Sequence, residues 1–314
     1  MTAVAIIGAG MAGLATAERL RAGGMSCVIF EKSRGMGGRM STRRTGDLQF
    51  DHGAQYFTAR GPDFVTQVAR WRAAGVVAEW APGSHVGAPG MTAPARALAS
   101  GHVCVTQAQV NGFTRTADGW TVLDDKGSIK AQGNGAYAAI VLAVPAPQAI
   151  PLAARAGADM PELAGARYAP CIALMLAFPA DVGPVLPDWS RPDDAAIAWI
   201  AADFTKPGRP QAARTFVVHA RPDWSRAHID DQAEDLVAPL LARFRAVTGL
   251  IAEPAYASAH RWRYALVEQE IGLPCLFDAG ARVGACGDWC LGPRVEAAWD
   301  SGCAMADTLL TALA

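Results

Sequence analysis

Three glycines, Gly8, Gly10 and Gly13, carry the spacing G-x-G-x-x-G, and a carboxylate, Glu31, lies roughly 20 residues beyond them, as in dinucleotide-binding loops. Gly8 permits a tight turn, Gly10 lets the backbone approach a pyrophosphate, and Gly13 lets a helix pack closely on a strand. The free N–H groups at Met11, Ala12 and Gly13 then face the anion along the helix dipole, and Glu31 suits a ribose hydroxyl. Glycine spacing alone is a weak sign, so the flanking elements decide its weight. Val4–Ile7 is a short apolar run suited to a buried strand, Leu14–Arg21 has helical character, and Ser26–Phe30 reads as a second strand ending at Glu31. A glycine-rich loop closing an ordinary βαβ unit is the alternative.

A second glycine cluster follows at once: Lys32-Ser33-Arg34-Gly35-Met36-Gly37-Gly38-Arg39-Met40-Ser41-Thr42. Gly37 and Gly38 let the backbone pass close to a cofactor, and Arg39 presents a fork of donors suited to phosphate. A solvated basic turn is the bland reading, since Arg43 and Arg44 come next. The segment resembles the R-x-G-G-R-x-x-S/T stretch of the amine-oxidase and desaturase flavoproteins, with one extra residue between Arg34 and Gly37. That resemblance implies FAD as the cofactor, with Lys32, Gly38 and Arg39 beside its pyrophosphate and ribityl chain.

Asp51-His52-Gly53-Ala54-Gln55-Tyr56-Phe57-Thr58-Ala59 mixes small residues, an amide and two aromatics where a plain connection would be more polar. In the same flavoprotein group the corresponding small residues approach the flavin, which implies cofactor contacts at Gly53, Ala54 and Gln55 and a substrate wall from Gln55 to Ala59. A buried aromatic turn is the alternative. His52 is read as a hydrogen-bonded structural histidine. Near the other end, Val283–Asp288 is a short strand ending in Gly287-Asp288, and Arg294–Leu313 has helical spacing, with Glu296 in its first turn. The resemblance places Gly287, Asp288, Val295, Glu296 and Ala297 against the cofactor.

The chain has 314 residues, 51% hydrophobic and 18% charged, which suits a sizeable core in one large or two joined domains. A net charge of -1 gives no broad electrostatic case for nucleic acid or an anionic membrane. No apolar run is long enough to span a bilayer, and a cytoplasmic location is expected. Seven scattered cysteines fit neither a disulfide framework nor a zinc site, so no metal is expected.

Phe64–Ala74 has a helical period, a Gly/Pro-rich loop spans Ala81–Gly90, and Met91–Leu98 is a short helix with Thr92 as N-cap. Val103–Gln107, Val110–Thr114 and Trp120–Leu123 read as a β-meander feeding a buried strand at Ala138–Val144. Cys171–Phe178, Ala195–Ala201, Thr215–Ala220 and Ala255–Trp262 read as strands, and Asp230–Thr248 as one long helix that Pro239 should kink. Trp189, Trp199, Trp224 and Tyr168 either line a cavity for a flat ligand or pack a core. The expected fold class is α/β: a Rossmann-type FAD-binding domain with a β-meander, and a smaller α+β substrate domain on a mostly antiparallel sheet. Residues 1–60, 91–150 and 275–314 are assigned to the first, 61–90 and 151–274 to the second.

Ala259-His260-Arg261-Trp262-Arg263-Tyr264-Ala265, Cys286-Gly287-Asp288-Trp289-Cys290-Leu291 and Arg294 to Trp299, with the segments at 32–39 and 53–59, resemble the bacterial renalases. The segment from Trp80 to Gly90 is shorter than in that family. The resemblance implies a non-covalent FAD oxidase for the 1,2- and 1,6-dihydro isomers of NAD(P)H, with O2 as acceptor and H2O2 as by-product. It also implies His260, Trp262, Tyr264 and Trp289 on the substrate side, facing Gln55 to Ala59. No catalytic side chain is assigned, because loss of hydride from a dihydropyridine gives an aromatic cation and needs no base. An amine oxidase or desaturase, and a non-catalytic flavin-binding protein, are the competing readings.

Overall fold

The computed structural model describes residues 3–129, 136–184 and 186–314. β1 (Ala3–Ile7), α1 (Met11–Ala22) and β2 (Ser26–Glu31) form the expected βαβ unit, with Ile7 paired to Phe30 in parallel register. A hairpin of β3 (Arg43–Thr45) and β4 (Leu48–Phe50) follows, then α2 (Pro62–Ala73) and a second hairpin, β5 (Val77–Ala81) and β6 (Ser84–Gly87). After α3 (Ala93–Ala99), β7 (Val103–Thr106) pairs with β2, while β8 (Gly112–Thr116), β9 (Gly119–Asp124) and β10 (Gly127–Ser128) form a separate antiparallel sheet. β11 (Ala139–Leu142) returns beside β1, and α4 (Ala146–Arg155) leads to β12 (Arg167–Pro179). β13 (Trp189–Ser190), β14 (Ile197–Ala202), β15 (Ala213–Ala220), α5 (Pro222–His228), α6 (Val237–Thr248) and β16 (Tyr256–Gln269) build the second half. β17 (Leu276–Asp278), β18 (Val283–Ala285) and α7 (Val295–Ala312) close the first.

Two principal sheets result. One has the order β17-β18-β11-β1-β2-β7, parallel apart from β17, and the other the antiparallel order β13-β14-β15-β12-β16. The first sheet is buried on both faces, which is why its strands are continuous apolar runs. Val4, Ile6 and Val141 pack with α1, α2 and α7, while Ala5, Ile7, Ile140 and Leu142 pack with α4 and the meander. The second sheet buries one face against α6, where Phe178 and Phe216 meet Phe244. Its other face turns toward the cofactor half.

Five expectations change. Val103–Gln107 lies in the parallel sheet, so the meander begins one strand later. The helix expected over 230–248 starts at Val237, which places Pro239 in its first turn, where a missing N–H costs no intrahelical bond and no kink is needed. The loop expected over 81–90 is largely the β5–β6 hairpin, and Thr92 makes no side-chain cap bond. Phe64, Val68, Trp71, Val77 and Val86 share a core with β1 and α1, so 61–90 packs with the cofactor half; α4 and Leu163 do so on the opposite face. A run of apolar residues identifies a buried face but not which neighbour covers it.

Thr16 Oγ1 donates to the Gly302 carbonyl at 2.9 Å, and a Cβ on Gly302 would lie 2.2 Å from the Ala12 carbonyl oxygen. Glycine there sets the approach of α7 to α1. Gly302→Ala is therefore expected to lower unfolding stability by about 1–3 kcal/mol despite alanine's better helix propensity. Urea denaturation checks this, and unchanged stability would mean that the two helices separate without cost.

Candidate functional site

The first three sequence-assigned segments meet through backbone contacts. Gly8 has φ 110° and leaves no room for a side chain, since a Cβ would lie 2.5 Å from the Ala143 carbonyl oxygen. Gly10, by contrast, faces open space. The Gly37 N–H donates to the Ala9 carbonyl at 2.8 Å, and a Cβ on Gly38 would come within 3.5 Å of Gly10 Cα, so the two glycine clusters share one channel. The Ala54 N–H donates to the Arg39 carbonyl, and a Cβ on Gly53 would overlap that same carbonyl at 2.0 Å. α1 begins at this channel with no acidic residue in its first turn and no side-chain cap, leaving its first N–H groups for an anion. Buried Glu31 accepts the Ala9 N–H at 2.9 Å on Oε2 and the Ser33 N–H at 2.8 Å on Oε1. A carboxylate has about four acceptor sites, so two bonds leave capacity for ribose hydroxyls. These features fit a bound dinucleotide.

Other assigned residues divide into those at the channel and those beside it. Arg39 closes a two-pronged ion pair on Asp288, Nη1 to Oδ2 at 2.7 Å and Nη2 to Oδ1 at 2.6 Å, with Nη1 also reaching the Ala265 carbonyl. Its fork was expected on phosphate; instead it ties the second glycine cluster to the end of the chain, with the Tyr168 ring 6.0 Å away. Asp288 and Gly287 follow β18, and the Gly287 N–H is held by Ser301 Oγ. Lys32 is exposed. Glu296 accepts the Arg60 and Gly61 N–H groups on Oε1 at 2.7 and 2.6 Å, so it braces the start of α2. Ala297 is fully buried, whereas Val295 is half-buried against the core. Phe57 and Trp289, assigned to the substrate wall, are core residues: Phe57 packs with Phe64 and His85, and Trp289 is fully buried and donates to the Val144 carbonyl. Tyr264 stacks edge-on with Tyr168, and Thr58 and Ala59 are half-buried.

Across the second sheet runs a row of residues that faces the 51–59 segment. Trp199 on β14 pairs with His219 on β15, His219 with Ala173 on β12, and Ala173 with His260 on β16, so all four share one face. Ala173, the one small residue of this row, is fully buried between the two imidazoles, and the half-buried rings of Tyr56, His219, His260 and Trp262 outline a recess above it. Tyr56 lies 5.8 Å from Trp199, and Gln55 Nε2 is 3.3 Å from His219 Nε2, so the 51–59 segment forms the facing wall. Trp262 donates to the His52 carbonyl at 2.9 Å, and the His52 ring meets His260 at 4.9 Å and Trp262 at 5.1 Å. His52 is buried as expected, but among the described residues its Nδ1 has no hydrogen-bond partner.

Beneath this wall lies a group that sequence reasoning missed. Lys206, fully buried, donates to Asp203 Oδ1 at 2.6 Å and Gln55 Oε1 at 3.1 Å, and lies 3.6 Å from Asp51 Oδ2. Arg209 pairs with Asp51, which also accepts from Thr42 Oγ1 and the Met91 N–H, and Asp203 accepts the Asp51 N–H. Burial opposes ionisation of Asp51, yet Lys206, Arg209 and those two hydrogen bonds hold its carboxyl below the usual range. The D-x-x-K spacing of Asp203 and Lys206 was the available signal, and it is shared by many solvated turns. Gln55 Nε2 donates in turn to the Asp51 and Gly53 carbonyls, so one buried cation fixes the amide that faces the recess.

The imidazoles here are neutral. Burial first, then His260, Arg43 and His219, pushes His52 down to about 3; burial, then Arg43 and Arg261, brings His260 to about 4; burial brings His219 to about 4, its bond to the His52 carbonyl opposing the shift. The recess is thus aromatic and free of any histidine that titrates near neutrality. Among the described residues no cluster of three or more His, Cys, Asp or Glu is placed to hold a metal, and no helix is long and apolar enough to cross a membrane.

Comparison with known proteins places this geometry. The family of NAD(P)-binding Rossmann-like domains matches residues 6–71. A 50-residue stretch, 16% of this chain, is 48% identical to a 4,4'-diapophytoene desaturase (4,4'-diaponeurosporene-forming) of Staphylococcus haemolyticus and covers only 10% of that protein. In three dimensions the whole chain follows an Exiguobacterium protein described as a candidate protoporphyrinogen oxidase (TM-score 0.75, 11% identity, 99% of each chain). It also follows cyclohexylamine oxidase of Brevibacterium oxydans (TM-score 0.69, 13% identity, 99% of each) and putrescine oxidase bound to putrescine (TM-score 0.63, 13% identity, 99% of this chain and 98% of the other). The chain has a Rossmann-like dinucleotide-binding domain within the fold of the flavin amine oxidases.

Replacing Lys206 by Met leaves two buried carboxylates facing one guanidinium. Loss of one partner from a buried ionic group typically costs about 3–5 kcal/mol, and that deficit is expected in urea denaturation at pH 7. It should shrink as pH falls, because the folded variant takes up a proton more readily than the unfolded chain and protonation restores neutrality. A deficit that is small, or that grows toward acid pH, would contradict the pairing.

Proposed function

We propose that this chain is an FAD-dependent oxidase that takes hydride from the 1,2- and 1,6-dihydro isomers of NAD(P)H and releases NAD(P)+. The observation that carries this reading is the row of Trp199, His219 and His260 facing Tyr56 and Gln55, aromatic rings and an amide among imidazoles held neutral. A dihydropyridine becomes an aromatic cation on losing hydride, so the protein has to supply position and a dry, flat slot rather than a base. In the channel described above, FAD would supply a hydride acceptor that O2 can reoxidise, with H2O2 as the by-product.

The chain's own residues hold and orient. The backbones of Gly8 to Gly13, Gly37, Gly38 and Gly53 line the cofactor channel, Glu31 takes the adenosine ribose, and the Arg39–Asp288 pair joins the two ends of the chain that flank the cofactor. The cofactor is taken as non-covalent, since no cysteine or histidine lies in an attachment motif. Tyr56, Trp199 and Trp262 flank the recess, and Lys206 keeps the Gln55 amide facing it with a fixed sense. The competing reading, an amine or a polyene as substrate, rests on the names of the fold neighbours and of the desaturase segment.

Stopped-flow mixing of the oxidised protein with candidate reductants under anaerobic conditions tests the proposal. Flavin bleaching is expected with 1,2- or 1,6-dihydro-NAD(P), yielding NAD(P)+, and little with 1,4-NAD(P)H or monoamines. Fast bleaching by an amine, with none by either isomer, would replace this reading with that of an amine oxidase.

A further inference from the structure

The recess continues outward along the sheet. Trp199 is 8% exposed and sits between Tyr56, at 5.8 Å, and Trp189, whose ring stacks on it at 4.8 Å with an interplanar angle of 7°. Trp189 lies on the edge strand β13 and is 44% exposed. A tryptophan laid flat on another, with its outer face open to water, leaves a large aromatic surface that a folded chain ordinarily covers. Arg191, two residues on, places its guanidinium 5.3 Å from the Trp199 ring centroid and makes no ion pair among the described residues. Trp199 Nε1 is buried and, among the described residues, has no acceptor.

These features form a ramp: two indoles and a phenol in sequence from solvent to recess, a free cation beside them, and an unused donor within them. We propose that this ramp is the subsite for the adenine nucleotide half of the dinucleotide substrate, the purine lying on Trp189 and the phosphates meeting Arg191. The inference rests on the dinucleotide reading of the recess and extends it to a part of the ligand remote from the reacting ring. A planar base paired with a phosphate matches a stacked ring paired with a guanidinium, whereas a small amine would use neither. Binding energy gathered there holds the nicotinamide ring in place without touching it.

Calorimetric titration of the flavin-loaded protein with ADP, and separately with nicotinamide mononucleotide, tests the assignment; the loaded protein is used because its own adenosine site is then filled. Base stacking on an aromatic side chain is typically worth about 1–3 kcal/mol, so Trp189→Ala is expected to weaken ADP binding roughly tenfold. Trp189→Phe should retain most of the affinity, Arg191→Gln should weaken ADP and flatten its salt dependence, and nicotinamide mononucleotide should bind all variants alike. Failure of the parent protein to bind ADP, indifference of ADP to both Trp189→Ala and Arg191→Gln, or an equal loss of nicotinamide mononucleotide would overturn it. Trp189-dependent ADP binding in a protein that no dihydro isomer bleaches would support the subsite while removing the substrate reading.

Discussion

The ion cluster of Asp51, Asp203, Lys206 and Arg209 holds the two halves of the molecule in one geometry. Asp51 belongs to the segment that walls the recess, while Asp203, Lys206 and Arg209 come from the turn after β14 in the second sheet. All four side chains are almost wholly buried. Two carboxyl groups face two cations: Lys206 and Arg209 hold Asp51 low against its burial, whereas burial raises Asp203, and neutral donors from Thr42 and Met91 take up remaining acceptor sites on Asp51. Charges removed from water are costly unless every one is paired and hydrogen-bonded, and replacement by apolar residues is often neutral or stabilising. What such a cluster provides here is direction: Lys206 bonds Gln55, Gln55 bonds the carbonyls of Asp51 and Gly53, and Gly53 packs on Arg39. A side chain of the second sheet thereby fixes the backbone that lines the cofactor channel.

The same burial that makes those charges depend on one another discharges the histidines. His52, His219 and His260 have few opposite charges to stabilise protonation and several cations against it, so desolvation prevails and they stay neutral through the physiological range. Most charge lies in the layer beneath the wall; the Arg43 guanidinium reaches His260 Nδ1 at 3.4 Å, and the other polar groups of the recess are neutral imidazoles and one amide. Such a slot favours a flat, weakly charged ring and offers no proton acceptor tuned near pH 7.

Local signals were legible in the sequence and long-range pairings were not. The glycine spacing at 8–13 with Glu31 identified the dinucleotide loop because each residue answers to geometry within one βαβ unit. The fold class followed from the change between buried parallel runs and alternating antiparallel strands. Lys206 was missed because its partners Gln55 and Asp51 lie some 150 residues away, and nothing in an isolated D-x-x-K turn tells a buried lysine from a solvated one. Trp289 and Phe57 were misplaced for the converse reason: they sit in informative segments, yet their side chains point into the core. Arg39 and Asp288 were each assigned to the cofactor, and the structure pairs them with each other across 249 positions.

The central claim is that the recess is a positioning slot without an acid–base group. The most direct measurement is the anaerobic rate of flavin reduction by a dihydro-NAD(P) isomer, at saturating concentration, from pH 6 to 9. The account predicts a flat profile, since no histidine facing the recess titrates in that range. A rate that climbs tenfold per pH unit through any part of it would reveal a required base and contradict the account.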